Sequence, residues 1–230
     1  MSLSSRKITG KRIALFQEKL LSWFEHSGRH HFPWRGGNLS SYEIVIAEVL
    51  LQRTKAETIE KFYPKFLSAF PTWESIANVE IGVLEEQLRP IGLYRQRAKR
   101  IKALAIEMVR LMGDFPPARE ALEEIPFLGQ YIVNAIELQI FHKPSPLLDV
   151  NMARVLERYF GERQLADIRY DPYLQALAAK VVDHPRSKQL NWAILDFAAS
   201  ICKSRVPLCK KCLLSTTCTF NKKVVNSGNF

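Results

Sequence analysis

Residues 122–140 read LEEIPFLGQYIVNAIELQI and residues 147–161 read LLDVNMARVLERYFG. Apolar side chains recur at helical spacing over 118–124, 130–141 and 150–159, and PFLG and HKPSP break the pattern. The reading is therefore helix, tight turn, helix, a proline-bearing connection, and a third helix with Asp149 in front of its first turn. A turn that exposes successive backbone N–H groups at a helix start can hold a phosphate without reading bases, and Gly129 suits such a turn. Read by themselves, PFLG is punctuation between helices and Asp149 is an N-cap.

The rest of the chain repeats the helical period. Ile13, Phe16, Leu20, Trp23 and Phe24 share one stripe, and similar stripes cover 42–52, 57–69, 80–88, 95–111, 172–182 and 187–201. Breakers separate them: SGRHHFPWRGGN, Pro71, RPIG, GDFPP and DHPRS. No stretch alternates convincingly, so the fold class is all-α. The run YEIVIAEVLL is read as a buried helix because its length and flanks suit one.

No run of about 18 apolar residues occurs, and the basic MSLSSRKITGKR start lacks an apolar segment, so membrane and secretory readings are disfavoured. The expected setting is intracellular, in the cytoplasm and nucleoid or in a nucleus. A net charge of +10, spread along the chain, attracts polyanions and equally serves as a solubilising surface.

All four cysteines fall within residues 202–218, CKSRVPLCKKCLLSTTC, as Cys202, Cys209, Cys212 and Cys218. A reducing compartment argues against disulfides, which leaves metal. Four thiolates suit zinc or an iron–sulfur cubane, but zinc sites usually pair two C-x2-C knuckles and this stretch has one. The spacing C-x6-C-x2-C-x5-C, closing an all-helical basic chain, resembles the 4Fe–4S loop of the endonuclease III superfamily of helix-hairpin-helix DNA glycosylases. The resemblance spans about residues 30–220.

That resemblance implies a two-lobed fold: a six-helix barrel with the hairpin over 36–144, and a cluster lobe made of 1–35 plus 145–230. It implies a 4Fe–4S cofactor on the four cysteines, docking Lys203, Arg205, Lys210 and Lys211 against phosphate. Phe127, Leu128, Gly129 and Gln130 become the DNA-gripping hairpin, although Phe127 replaces the superfamily's first glycine, and phenylalanine tolerates positive φ badly. Asp149 lies eighteen residues beyond Tyr131, the superfamily separation between hairpin-helix position and catalytic aspartate. A fixed carboxylate there meets the oxocarbenium charge that forms as an N-glycosidic bond breaks. Superfamily members that also nick DNA carry lysine at the position of Tyr131; a phenol cannot form a Schiff base, so a monofunctional enzyme is expected.

Glu48 and Asn151 resemble the mismatch-glycosylase branch. There the matching glutamate enters the base pocket, and burial among IVIAEVLL is expected to raise its pKa and suit it to protonate the departing base. Gln52 and Arg53 match positions that fill the gap left by a flipped nucleotide. Ala56 and Trp192 fall at base-pocket positions; Ala56 follows the thymine-mismatch enzymes and Trp192 follows neither branch. IGLYRQRAKRIKALA, ERYFG and LDFAASICKSRVPLCKKC also lean towards the thymine enzymes. The expected activity is hydrolysis of thymine or uracil opposite guanine by a monomer acting on double-stranded DNA that contains a mismatched base. The alternatives are adenine excision opposite guanine or 8-oxoguanine, a non-catalytic helix-hairpin-helix DNA-binding protein, and a redox carrier.

Overall fold

In the computed structural model, which describes residues 8–226, twelve α-helices succeed one another and no strand occurs among the described residues. In chain order they are α1 Gly10–Ser27, α2 Ser41–Leu51, α3 Ala56–Ala69, α4 Trp73–Asn78, α5 Ile81–Leu88, α6 Tyr94–Arg110, α7 Arg119–Glu124, α8 Gln130–Gln139, α9 Val150–Phe160, α10 Pro172–Val182, α11 Ser187–Ser200 and α12 Thr219–Asn226. No described helix is long and apolar enough to cross a membrane. The chain divides into two compact units, one formed by His30–Lys143 and the other by Met1–Arg29 with Pro144–Phe230.

The His30–Lys143 unit is built around α2. Ser40 caps α2 through a reciprocal box with Glu43: the Ser40 amide donates to the carboxylate at 2.8 Å and the Glu43 amide donates to the Ser40 hydroxyl at 3.2 Å. Beyond that start the helix is apolar nearly all round and buries Tyr42, Val45, Ile46, Ala47 and Leu50, as befits a central core helix. Ile59, Tyr63 and Phe66 of α3, Ile101, Leu104 and Met108 of α6, and Ile132, Val133 and Ile136 of α8 complete one hydrophobic core. The seven α-helices from α2 to α8 in this unit exceed the six expected. The addition is α4, a six-residue helix whose start Thr72 and Ser75 cap reciprocally.

Residues 30–35, assigned from the sequence to the other lobe, pack here instead. Phe32 stacks on Trp34 with ring centroids 4.6 Å apart, and Trp34 meets the edge of Tyr63. Two buried aromatic rings fix the allegiance of this segment more strongly than its Gly-rich flank suggests.

In the second unit α1 lies against α11 and α10, and α9 against α10, α11 and α12. Phe16 is wholly buried between Tyr159 and Phe160, 4.9 and 5.2 Å away centroid to centroid. The Arg12 guanidinium bonds the Tyr159 carbonyl, the Thr217 carbonyl at 3.1 Å and the Thr219 hydroxyl at 2.9 Å, tying α1 to α9 and to the start of α12. The last helix lies after Cys218, where no apolar stripe marks it in the sequence.

Candidate active site

Glu48 is the one acidic side chain buried in α2, only 4% exposed. Its Oε2 accepts a hydrogen bond from the Tyr131 hydroxyl at 3.0 Å and its Oε1 accepts one from the Gln139 amide at 2.7 Å. Both donors stand on α8, eight residues apart, a little over two turns, which brings them to the same side of the helix. Burying a carboxyl is costly unless hydrogen bonds replace water, and here each oxygen has one.

Gly129, extended at φ −73° and ψ 166°, is the N-cap of α8, and a methyl group added there would meet nothing within 4 Å. The glycine is thus required neither by backbone conformation nor by packing against this chain. The left-handed conformation of the turn falls on Phe127, at φ 67° with its ring half exposed. Leu128, expected among the DNA contacts, points the other way: it is 6% exposed and belongs to the core with Ile125 and Leu122.

Gln52 is the C-cap of α2, and Arg53 follows in the left-handed region at φ 58° with an exposed side chain. The loop is held from behind by Arg97 of α6. Its guanidinium donates to the carbonyls of Val49 and Leu50, both at 3.0 Å, to that of Gln52 at 3.1 Å, and to the Thr54 hydroxyl at 3.0 Å. These are carbonyls a helix end leaves without intrahelical partners. Ala56 opens α3 and is half-buried.

In the other unit Asp149 caps α9. Its Oδ1 accepts from the backbone N–H of Asn151 at 2.9 Å and of Met152 at 2.8 Å, and its Oδ2 accepts from the Asn151 side-chain amide at 2.6 Å. Burial raises its carboxyl above the ordinary aspartate value; the Met152 N–H, the two Asn151 donors and the Arg154 charge oppose that rise. Arg154 extends the network, donating to Asn151 Oδ1 at 3.1 Å, to the Cys202 carbonyl at 2.9 Å and to the Ala198 carbonyl at 3.1 Å. Trp192, on α11, is half-buried with the Lys188 ammonium 5.3 Å from its ring centroid.

A family model described as "HhH-GPD superfamily base excision DNA repair protein" matches residues 46–169, which contain Glu48, Tyr131, Gln139 and Asp149. The chain belongs to the HhH-GPD superfamily. Within it, a thymine-DNA glycosylase of Aeropyrum pernix is 33% identical over 91% of this chain and 95% of its own length. A thymine/uracil-DNA glycosylase of Methanothermobacter thermautotrophicus is 33% identical over 94% and 97%. A solved structure of a thermostable thymine-DNA glycosylase superposes with a TM-score of 0.84 at 32% identity, covering 93% of this chain and 98% of that one. Adenine DNA glycosylases match at lower identity, that of Buchnera aphidicola at 27% over 89% of this chain and 58% of its own.

In this HhH-GPD chain the four cysteines line one pocket, together with Arg158, Leu208 and Phe220. All four are free thiols. Among the described residues no three His, Cys, Asp or Glu side chains group closely enough to hold one metal ion. Arg158 donates to Cys202 Sγ at 3.5 Å and to the carbonyls of Lys203 and Ser204, while the Cys218 thiol donates to the Arg158 carbonyl at 3.2 Å. Burial raises the thiols of Cys209 and Cys218 and pushes that of Cys212 up to about 11. Lys203, Arg205, Lys210 and Lys211 are all exposed on this loop.

Sequence reading missed three side chains that organise these sites. Gln139 is visible only as a polar residue interrupting IELQI; Arg97 and Arg154 look like ordinary surface cations.

Proposed function

We propose that the chain is a monofunctional DNA glycosylase that hydrolyses the N-glycosidic bond of a flipped thymine or uracil mispaired with guanine. The observation that carries this reading is the bond between the Tyr131 phenol and the buried Glu48 carboxyl. The hairpin helix presents a phenol where an amine would be needed to attack C1′, so water is the nucleophile. A carboxyl removed from solvent is suited to deliver a proton to the departing base. Asp149, fixed by three hydrogen bonds, supplies the negative charge against which the sugar's oxocarbenium character develops. Depyrimidination leaves an abasic site with the strand intact.

The reading includes a 4Fe–4S cluster on the four cysteines, and what supports it is that all four line one pocket. Such a cluster would contribute rigidity to a cationic loop rather than chemistry at the sugar, and the chain itself would hold Lys203, Arg205, Lys210 and Lys211 against phosphate. Duplex DNA with a mismatched base is the proposed partner, and the enzyme acts as a monomer.

The test is incubation with duplexes carrying T, U or A opposite G, and A opposite 8-oxoguanine, followed by alkali. Abasic sites from T:G and U:G are expected, with no nicking before alkali; release of adenine instead would place the chain with the adenine enzymes. Asp149→Asn is expected to abolish release in single-turnover assays while leaving duplex affinity within a factor of about two. Retained release in that variant would remove Asp149 from the mechanism, and binding without release from any duplex would support a non-catalytic module.

A further inference from the structure

We propose that Gln139 is a positioning residue for Glu48, and that it decides which carboxyl oxygen carries the proton delivered to the base. This rests on the reading of Glu48 as the proton donor. Gln139 is itself 6% exposed, two turns along α8 from Tyr131, and its amide nitrogen lies 2.7 Å from Glu48 Oε1. Tyr131 and Gln139, both of which donate to Glu48, differ in kind. A tyrosine hydroxyl both donates and accepts, so Oε2 can be protonated without losing Tyr131: the proton points to the phenol oxygen and the phenol turns its own hydrogen away. The NH₂ of a glutamine donates only, so Oε1 cannot pass a proton to it, and once protonated Oε1 accepts from it more weakly than a carboxylate oxygen does. While Gln139 donates to Oε1, the proton is favoured on Oε2, on the side of the hairpin tyrosine. The same bond favours the ionised carboxyl and makes the proton easier to release.

Of the charged and titratable groups on the elements packed against α2, two bond its backbone. Tyr63 of α3 donates to the Glu43 carbonyl at 3.0 Å, and Arg97 of α6 is on the carbonyls at the end of α2. The Arg35 guanidinium, in the 3₁₀ turn before α2, lies over the Phe32 ring. On α8 itself Glu137 accepts from Arg119 at 2.6 Å. Gln139 acts on Glu48 by direct donation at 2.7 Å.

The experiment is single-turnover base release against pH for the wild type, Gln139→Leu and Glu48→Gln, on whichever of the four duplexes the wild type processes. It is paired with a carboxyl infrared titration in which Glu48→Gln identifies the band. Release requires protonated Glu48, so its rate falls as pH rises through the Glu48 pKa. With the donor gone the carboxyl holds its proton longer. The basic limb and the infrared midpoint of Gln139→Leu are expected to move up by about one pH unit, a tenfold change in proton affinity, with a plateau about tenfold lower because the acid is no longer held in place. Gln139→Met replaces Leu if thermal unfolding shows the Leu variant unfolded. A rate reduced by one factor at every pH, with the infrared midpoint unmoved, overturns the proposal and leaves Gln139 a packing residue. Full release by Glu48→Gln overturns the reading of Glu48 itself. Loss of release in Glu48→Gln with an unmoved limb in Gln139→Leu overturns only the role of Gln139.

Discussion

Phe127 holds φ 67° with 53% of its surface exposed, so the chain carries a left-handed phenylalanine that its own core does not reward. For a residue with a Cβ that conformation costs roughly 1–2 kcal/mol, and strain of this kind gathers at functional sites. Phe127→Gly is therefore expected to stabilise the fold, by about 0.5–1 kcal/mol once the greater freedom of glycine in the unfolded chain is deducted. It is also expected to weaken duplex binding several-fold through loss of the ring. Urea denaturation and fluorescence anisotropy report the two, and opposite signs are the signature. Asp149 offers a second test at this scale. Burial places its folded pKa above the ordinary 3.8, and the ionised form is the one the proposed mechanism needs. Activity is present above that raised pKa and is lost as pH falls through it, so the acid limb of the release profile should lie above pH 3.8. Asp149→Asn should abolish release at every pH, limb included. The residue pairs that were legible in the sequence are near in the chain, such as Asp149 with Asn151. Gln139 with Glu48 spans 91 positions, and no local pattern announces it.

At the scale of elements, one helix end is set by a side chain from another helix. Arg97 of α6 makes four hydrogen bonds to the last turn of α2 and the loop after it. These bonds hold the residues at which Gln52 and Arg53 leave the helix. Arg97→Met retains the buried stem but orphans the carbonyls, and should cost about 2–4 kcal/mol. Amide hydrogen exchange over residues 51–55 should accelerate more than elsewhere in the unit, which separates a local anchor from a general packing residue. Helix α8 shows the same division of labour along its length: its start adjoins the strained turn, Tyr131 follows, its middle fills the core with Ile132, Val133 and Ile136, and Gln139 ends it. The sequence period revealed such helices readily. It missed α4, although Thr72 and Ser75 were a capping signal in plain view. It put Leu128 on the surface because a turn reading carries no information about which face is covered.

For the whole molecule, a charge of +10 with four exposed cations on the cysteine loop predicts salt-dependent DNA binding. Replacing Lys203, Arg205, Lys210 and Lys211 by alanine should flatten the slope of log affinity against log salt by about 0.9 for each phosphate no longer neutralised. If the proposed 4Fe–4S cluster is bound, Cys212→Ser should lower bound iron, bleach the visible absorption and lower the melting temperature of protein purified without air; wild-type protein without iron would overturn that part of the proposal. Composition and helical period determined by themselves an all-helical, cation-rich chain, because amphipathic spacing is a property of neighbours along the backbone; the cysteine and hairpin motifs carried only the resemblance to the superfamily that the comparisons then showed. Tertiary structure alone decided that residues 30–35 pack into the core of the His30–Lys143 unit, and that Gln139, Arg97 and Arg154 reach Glu48, the end of α2 and the Cys202 carbonyl. Each of these depends on residues remote in sequence meeting one another, where burial and hydrogen-bond partners are settled only once the helices have packed.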